Sequence, residues 1–175
     1  MDRRQLARRW CGLVLVAAIV SGLGMGIGAA YATSAPSVPK KARMVCAAEA
    51  KRDIAGVLAI EPDTISTPTW ADHVYSCTYQ YPTGSFTVSV AALASRATTT
   101  SYFRALGTRL DRLPDAVGLG DGAFATPDGS VVVRKDNDVL EVDVSKMPPS
   151  FGKLALSPGD VASTVAVTIL GCWKG

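Results

Sequence analysis

The chain opens with a segment built for a membrane rather than for a water-soluble core. Arg3, Arg4, Arg8 and Arg9 precede an apolar run from Trp10 to Ala32 that holds no charged residue. A basic head followed by such a run is the pattern of a secretory signal peptide or of a single membrane anchor. A spanning helix needs roughly 20 apolar residues, and the hydrophobic part of a signal peptide about 7–15. The length of the run favours an anchor. Ala30-Tyr31-Ala32 has the small-x-small form of a cleavage site, and Gly22, Gly24, Gly26 and Gly28 weaken the helix, which favours removal. Both fates stay open. The arginines orient the segment with its N-terminus in the cytoplasm and residues 33–175 outside. Lys40, Lys41 and Arg43 compete weakly from behind a proline-containing spacer. Arg3-Arg4, flanked by Asp2 and Gln5-Leu6, is a weak match to a twin-arginine export signal. Neither Cys11 nor Cys46 follows an acylation box, so a lipid anchor is not expected. The expected location is the cell membrane as a single-pass protein, or the extracellular space.

This segment also accounts for the basic balance. The 175 residues carry a formal charge of +3, with 18 Lys and Arg against 15 Asp and Glu. Residues 1–32 hold four of the arginines and one aspartate, which leaves 14 basic against 14 acidic side chains. A neutral remainder with no basic stripe has no electrostatic footprint for a polyanion, so no nucleic-acid partner is expected.

Of the four cysteines, Cys11 belongs to the apolar segment and Cys46, Cys77 and Cys172 to the exported part. Outside the cytoplasm, one disulfide and one leftover thiol are expected, and the sequence allows all three pairings. No CxxC pair is present. The leftover thiol is expected to serve as a small buried apolar group rather than as a reactive one.

Residues 33–43 (TSAPSVPKKAR) read as a linker, and residues 44–175 as one domain of about 130 residues. Helical spacing of Cys46, Ala50, Ile54, Val57 and Leu58 predicts a helix over 45–59. Residues 61–73 read as a loop. Tyr75, Cys77, Tyr79 and Tyr81 alternate with polar neighbours, and after Pro82-Thr83-Gly84 so do Phe86, Val88 and Val90; this predicts a hairpin with Cys77 facing inward. A second helix is expected over 98–113 from a threonine cap, burying Tyr102 or Phe103, Leu106, Leu110 and Leu113 and stopped by Pro114. Short strands follow at 123–125, 131–134 and 139–144, with Leu140, Val142 and Val144 inward and Glu141, Asp143 and Ser145 outward. Ser157, Pro158 and Asp160 form a capping pattern for a last helix whose Val161, Val165, Ile169 and Cys172 share a face. The order α-β-β-α-β-β-β-α implies the α+β class: an antiparallel sheet of about five strands with three packed helices, preceded by the N-terminal hydrophobic helix.

A cysteine opening the first helix, Cys77-Thr78-Tyr79 in the first strand, Gly118-Leu119-Gly120-Asp121-Gly122-Ala123 before a hairpin, and the closing Val161-Ala162 helix resemble the DUF3558-type exported proteins of actinobacteria. The resemblance covers residues 44–171 through short motifs. It implies a cell-envelope domain of unknown function and carries over no catalytic residue. The chain departs from many members of that group in lacking the lipobox and in ending on Cys172-Trp173.

Other patterns read as structure. Gly118 to Gly122 follows a helix and precedes a strand, the reverse of a dinucleotide-binding loop, and is expected to be a turn. Asp136-Asn137-Asp138 resembles the start of a calcium loop, but Glu141 stands where that loop needs glycine, so a hairpin turn is expected. His73, the only histidine, has Asp72 and Ser76 near it and no nucleophile motif; a strand-edge histidine is the expected reading. A histidine-rich zinc site is excluded, and a mixed Cys/His site competes with the disulfide. Trp70 lies in a polar stretch and is the best candidate for a partner contact. No catalytic residue, cofactor or metal is expected. The leading expectation is a non-enzymatic binding module for an envelope protein, glycan or lipid. The alternative is an accessory subunit of an envelope complex, anchored through residues 10–32 and linked through the odd cysteine. A hydrolase using His73 ranks last.

Overall fold

The computed structural model describes residues 37–113 and 118–173. In chain order these form α1 (Lys40–Met44), α2 (Ala48–Leu58), β1 (Thr64–Ile65), β2 (Thr69–Ala71), β3 (Val74–Tyr81), β4 (Gly84–Ala92), α3 (Arg96–Arg109), β5 (Gly122–Ala125), β6 (Val131–Lys135), β7 (Asp138–Lys146) and α4 (Pro158–Cys172). The class is α+β with an antiparallel sheet, as expected. The counts differ: the sheet has seven strands rather than five, and four helices are described rather than three. The apolar segment 1–32, the first part of the 33–43 linker and Pro114 lie outside the described residues.

The strand order is β1-β3-β4-β7-β6-β5, with β2 also on β3. β1 and β2 occupy the same outer edge of β3 in succession. Thr64 and Ile65 face Gln80 and Tyr79; Thr69, Trp70 and Ala71 face Ser76, Tyr75 and Val74. These strands lie in the stretch 61–73 expected as a loop. Their brevity hides them from periodicity, because two or three residues cannot display an alternation. Between them the Ser66 N–H donates to the Thr78 carbonyl and the Ser66 hydroxyl accepts from the Thr78 N–H. Pro68 then breaks the ladder, and a short proline-bearing edge resists pairing with another chain. Asp72 and His73 turn into β3 with φ of 50° and 64°, the left-handed pair that a two-residue hairpin turn requires.

One face of the sheet carries α1, α2 and α4. Cys77, Tyr79, Tyr81, Phe86, Val88, Val90, Val131, Val133, Leu140, Val142 and Val144 point into that core, where Ile54 and Leu58 of α2 and Val161, Val165 and Ile169 of α4 meet them. The Ser157 hydroxyl accepts from the Asp160 N–H and the Asp160 carboxylate accepts from the Ser157 N–H, the capping box read from sequence. Among the described residues, the other face carries only α3. Phe103 and Leu106 pack there on Ala91, Phe124, Val132 and Val139 in a second, smaller cluster.

Three boundaries are corrected. Residues 40–43, read as the end of a linker, fall within α1, and Ala42 and Val45 are fully buried. Cys46 therefore lies between two helices instead of opening one. Its bond to Cys77 and the 2.6 Å hydrogen bond from the Tyr79 hydroxyl to the Val45 carbonyl hold this segment on the sheet. α3 is capped by Ser95, not by a threonine, with the Ser95 hydroxyl accepting from the Thr98 N–H. The helix ends at Arg109, so Leu113 falls beyond it and is 43% exposed. Val57, also expected inward, is equally exposed; Ala55 takes the buried place instead.

Candidate functional site

Because α3 covers only part of its face, the sheet leaves a partly exposed surface among the described residues. The outward residues of β3 and β4 there are hydroxyl-bearing. Thr78 and Thr87 share a hydrogen bond of 2.9 Å, as do Thr69 and Ser76, and Ser76 and Ser89 are paired across the ladder. Toward the C-terminal end of α3 this surface deepens into a groove of about 360 Å³, lined by Leu110, Asp111, Asp128, Glu141, Asp143 and Ser145 among others. Strand alternation in the sequence placed Glu141, Asp143 and Ser145 outward; only the tertiary structure brings Asp111 and Asp128 beside them.

The carboxyls of the groove differ in setting. Asp128 organises the turn between β5 and β6: it accepts from the Thr126 hydroxyl and, at 3.1 Å, from the Ser130 N–H. Burial opposes its charge, but these hydrogen bonds outweigh burial and hold its carboxyl below the usual range. Glu141 goes the other way. Burial raises its pKa, the charges of Asp143 and Asp128 add to the rise, and Arg109 only partly offsets them. The groove can therefore accept hydrogen bonds through several oxygens, or receive cationic groups.

A second polar cluster joins α3 to β6. Arg134 donates from one terminal nitrogen to the Thr100 hydroxyl at 2.7 Å and from the other to the Asp121 carbonyl at 2.8 Å, with its guanidinium 5.7 Å from the centre of the Phe103 ring. Nearby, Lys41 donates to Asp136 at 3.1 Å and ties α1 to the β6–β7 turn. These contacts are internal fastenings. They place Asp136-Asn137 in a hairpin turn, with Lys135 and Asp138 paired across it. Gly118 to Gly122 is likewise a turn. Gly120 has φ of 57°, and a Cβ there would lie 2.5 Å from the Arg134 carbonyl oxygen, so the glycine serves close backbone approach.

The residues singled out by sequence are distributed as follows. Cys46 and Cys77 are bonded, with Cα atoms 5.9 Å apart, and Cys172 is the free cysteine among the described residues. Trp70 is half-buried at the sheet margin, paired with Tyr75 on the helix-covered side and so away from the open surface. The His73 ring meets it edge-on at 6.1 Å. Among the described residues no side-chain hydrogen bond joins His73 to Asp72 or Ser76. None of these residues reaches the groove. Among the described residues, too, no group of three or more His, Cys, Asp or Glu side chains is placed to hold a metal ion, and no helix is long and apolar enough to cross a membrane.

Cys172 lies partly exposed near the end of α4, its sulfur 3.7 Å from an Asp53 carboxylate oxygen and 3.5 Å from the Thr168 carbonyl. Burial raises the thiol pKa, and the negative charges of Asp53 and Glu49 raise it further. The thiolate is the nucleophile, so the group is held in its unreactive form. Alkylation of Cys172 at neutral pH should be several-fold slower than that of a free cysteine peptide, and Asp53→Asn should accelerate it. Quantitative iodoacetamide labelling measures both; an equal or faster rate in the unmodified protein refutes this account.

No protein-family model matches the chain, and no curated protein or solved structure matches it either.

Proposed function

We propose that this chain is an exported or membrane-anchored cell-envelope domain that acts as a non-enzymatic binding module, with the open sheet face beside α3 as its contact surface. The observation that carries the reading is that, among the described residues, α3 packs on Ala91, Phe124, Val132 and Val139, while the hydroxyl-bearing outward residues of β3 and β4 beside it stay partly exposed and three helices pack on the opposite face. The Cys46–Cys77 disulfide supports an oxidising compartment, in keeping with the basic and apolar head of the chain. The resemblance to DUF3558-type envelope proteins agrees with that location. A surface of hydroxyls and carboxylates suits a glycan or a basic protein segment better than a lipid. The alternative, an accessory subunit of an envelope complex, draws on the free Cys172, whose raised pKa argues against a covalent link.

The test combines location with binding. Intact mass of the native protein from membrane and secreted fractions, with and without reductant, distinguishes a retained anchor from a released domain and detects any covalent partner. Retention of the full chain on isolated cell-wall polysaccharide is then compared with that of a Thr78→Arg, Ser89→Arg variant. Retention lost in the variant supports a glycan-binding sheet face. Equal retention of both proteins overturns the assignment of the surface, and retention of neither overturns the glycan.

A further inference from the structure

The glycine turn at 118–122 and the last turns of α4 enclose a recess of about 320 Å³. That volume lies at the lower end of the range for sites that hold small ligands, roughly 300–1,000 Å³. One wall is α4, where Val167, Leu170 and Gly171 share a face at spacings of three and four residues. Val167 is 54% exposed there, and nothing lies within 4 Å of where a Gly171 Cβ would stand. The other wall is the turn, whose Leu119 packs against the larger core between Gly118 and Gly120. Among the described residues, Lys135 of β6 is the one charged side chain that lines the recess.

Lys135 has no counter-ion. Asp136, next in sequence, is taken by Lys41 at 3.1 Å and by Arg96 at 3.7 Å. Among the described residues Lys135 forms no ion pair, either with its ladder partner Asp138 or with another carboxylate. The turn adds donors. Gly120 stands at φ 57°, and successive N–H groups around a left-handed residue form a concavity that holds anions. The Asp121 N–H is already used, donating to the Arg134 carbonyl at 2.7 Å. Among the described residues the Leu119 and Gly120 N–H groups donate to no acceptor. A cation and open N–H groups beside Leu119, Val167 and Leu170 call for an anionic group on an apolar stem. Much of the lining is glycine backbone rather than a continuous apolar tunnel. A peptide, which brings its own amide groups, matches that lining better than a long acyl chain.

We propose that this recess captures the free C-terminus of a partner protein. The carboxylate meets Lys135 and the N–H groups of the turn, and an apolar last side chain rests on Leu119, Val167 and Leu170. Capture of a chain terminus by backbone N–H groups is a recurring mode of peptide recognition. Leu119 and Leu170 belong to the core on the helix-covered side of the sheet, so the site is separate from the face beside α3 and stands whether or not that face binds a glycan.

Fluorescence polarisation with the full chain in lipid nanodiscs tests this. The probes are fluorescein-labelled hexapeptides of glycine and serine ending in alanine, valine or leucine, each made as the free acid and as the C-terminal amide. At least one free acid should bind, and its amide should bind on the order of tenfold more weakly, because the charge-assisted bonds to the carboxylate are lost. Lys135→Gln should weaken binding by a similar factor. Val167→Asp, a change at an exposed position that leaves the core intact, should abolish it. Arg104→Gln, on the outer side of α3, should leave it unchanged. Equal binding of acid and amide, binding unaltered by either Lys135→Gln or Val167→Asp, or binding of no peptide overturns the proposal. Decanoate binding more tightly than every peptide overturns a chain terminus as the occupant.

Discussion

Phe86→Ala should destabilise the domain by about 3–5 kcal/mol, the range for removing a buried aromatic from a packed core. Phe86 is buried on β4 and stands directly across from Tyr79, the two rings stacked at 5.0 Å and 12°. Tyr81 lies 5.8 Å away on the same face, and Phe151 meets Tyr81 edge-on at 4.9 Å. Four rings therefore tie the β3–β4 hairpin to the segment before α4, each pair adding roughly 0.5–1.5 kcal/mol beyond burial. Set against a total stability of about 5–15 kcal/mol, the loss leaves a substantial unfolded fraction. Urea unfolding followed by tryptophan fluorescence measures it. A cost below about 1 kcal/mol would show that the stack is not the centre of the fold.

Removal of the Cys46–Cys77 disulfide should be nearly as severe. The bonded residues are 31 apart in sequence, and closing a loop of that size in the unfolded chain accounts for roughly 3–4 kcal/mol in the chain-entropy treatment. For a domain of this size that is a fall in Tm of roughly 10 °C or more. The native state also loses a fastening. α1 has five residues, too few to hold itself helical, and depends on the sheet for its order. In a Cys46→Ala, Cys77→Ala variant, or after reduction, trypsin should cut at Lys40, Lys41 or Arg43 well before it cuts α4. Calorimetry and timed proteolysis test both effects; an unchanged Tm on reduction would refute the stabilising role assigned to the bond.

The tyrosine hydroxyl next to this bond shows why such links escape a sequence reading. Burial pushes the Tyr79 pKa well above its ordinary value, so the group stays protonated and donates to the Val45 carbonyl. Alternation in β3 places Tyr79 inward, but it does not identify an acceptor 34 residues earlier. The same limit applies to the open face. Glu141 and Asp143 are legible as outward residues of β7, whereas the groove depends on where α3 ends and on the turn that holds Asp128.

Local chemistry was enough wherever neighbours in sequence are neighbours in space. The β3–β4 hairpin, the Ser157 capping box, the inward face of β7 and the glycine turn at 118–122 all follow from alternation, side-chain hydrogen bonding or backbone freedom over a few residues. The uncharged run behind four arginines is equally local, and it sets the expectation of export. Tertiary structure alone decided which two of Cys46, Cys77 and Cys172 pair, since all three pairings satisfy the loop arithmetic and only the seating of α1 on β3 brings two sulfurs together. It also decided that residues 40–44 form a helix, that β1 and β2 exist as an edge, and that α3 packs on β4 to β7 rather than on β3. In each of these cases a short segment takes its conformation from a distant surface, because its own few contacts cannot offset the entropy of ordering it.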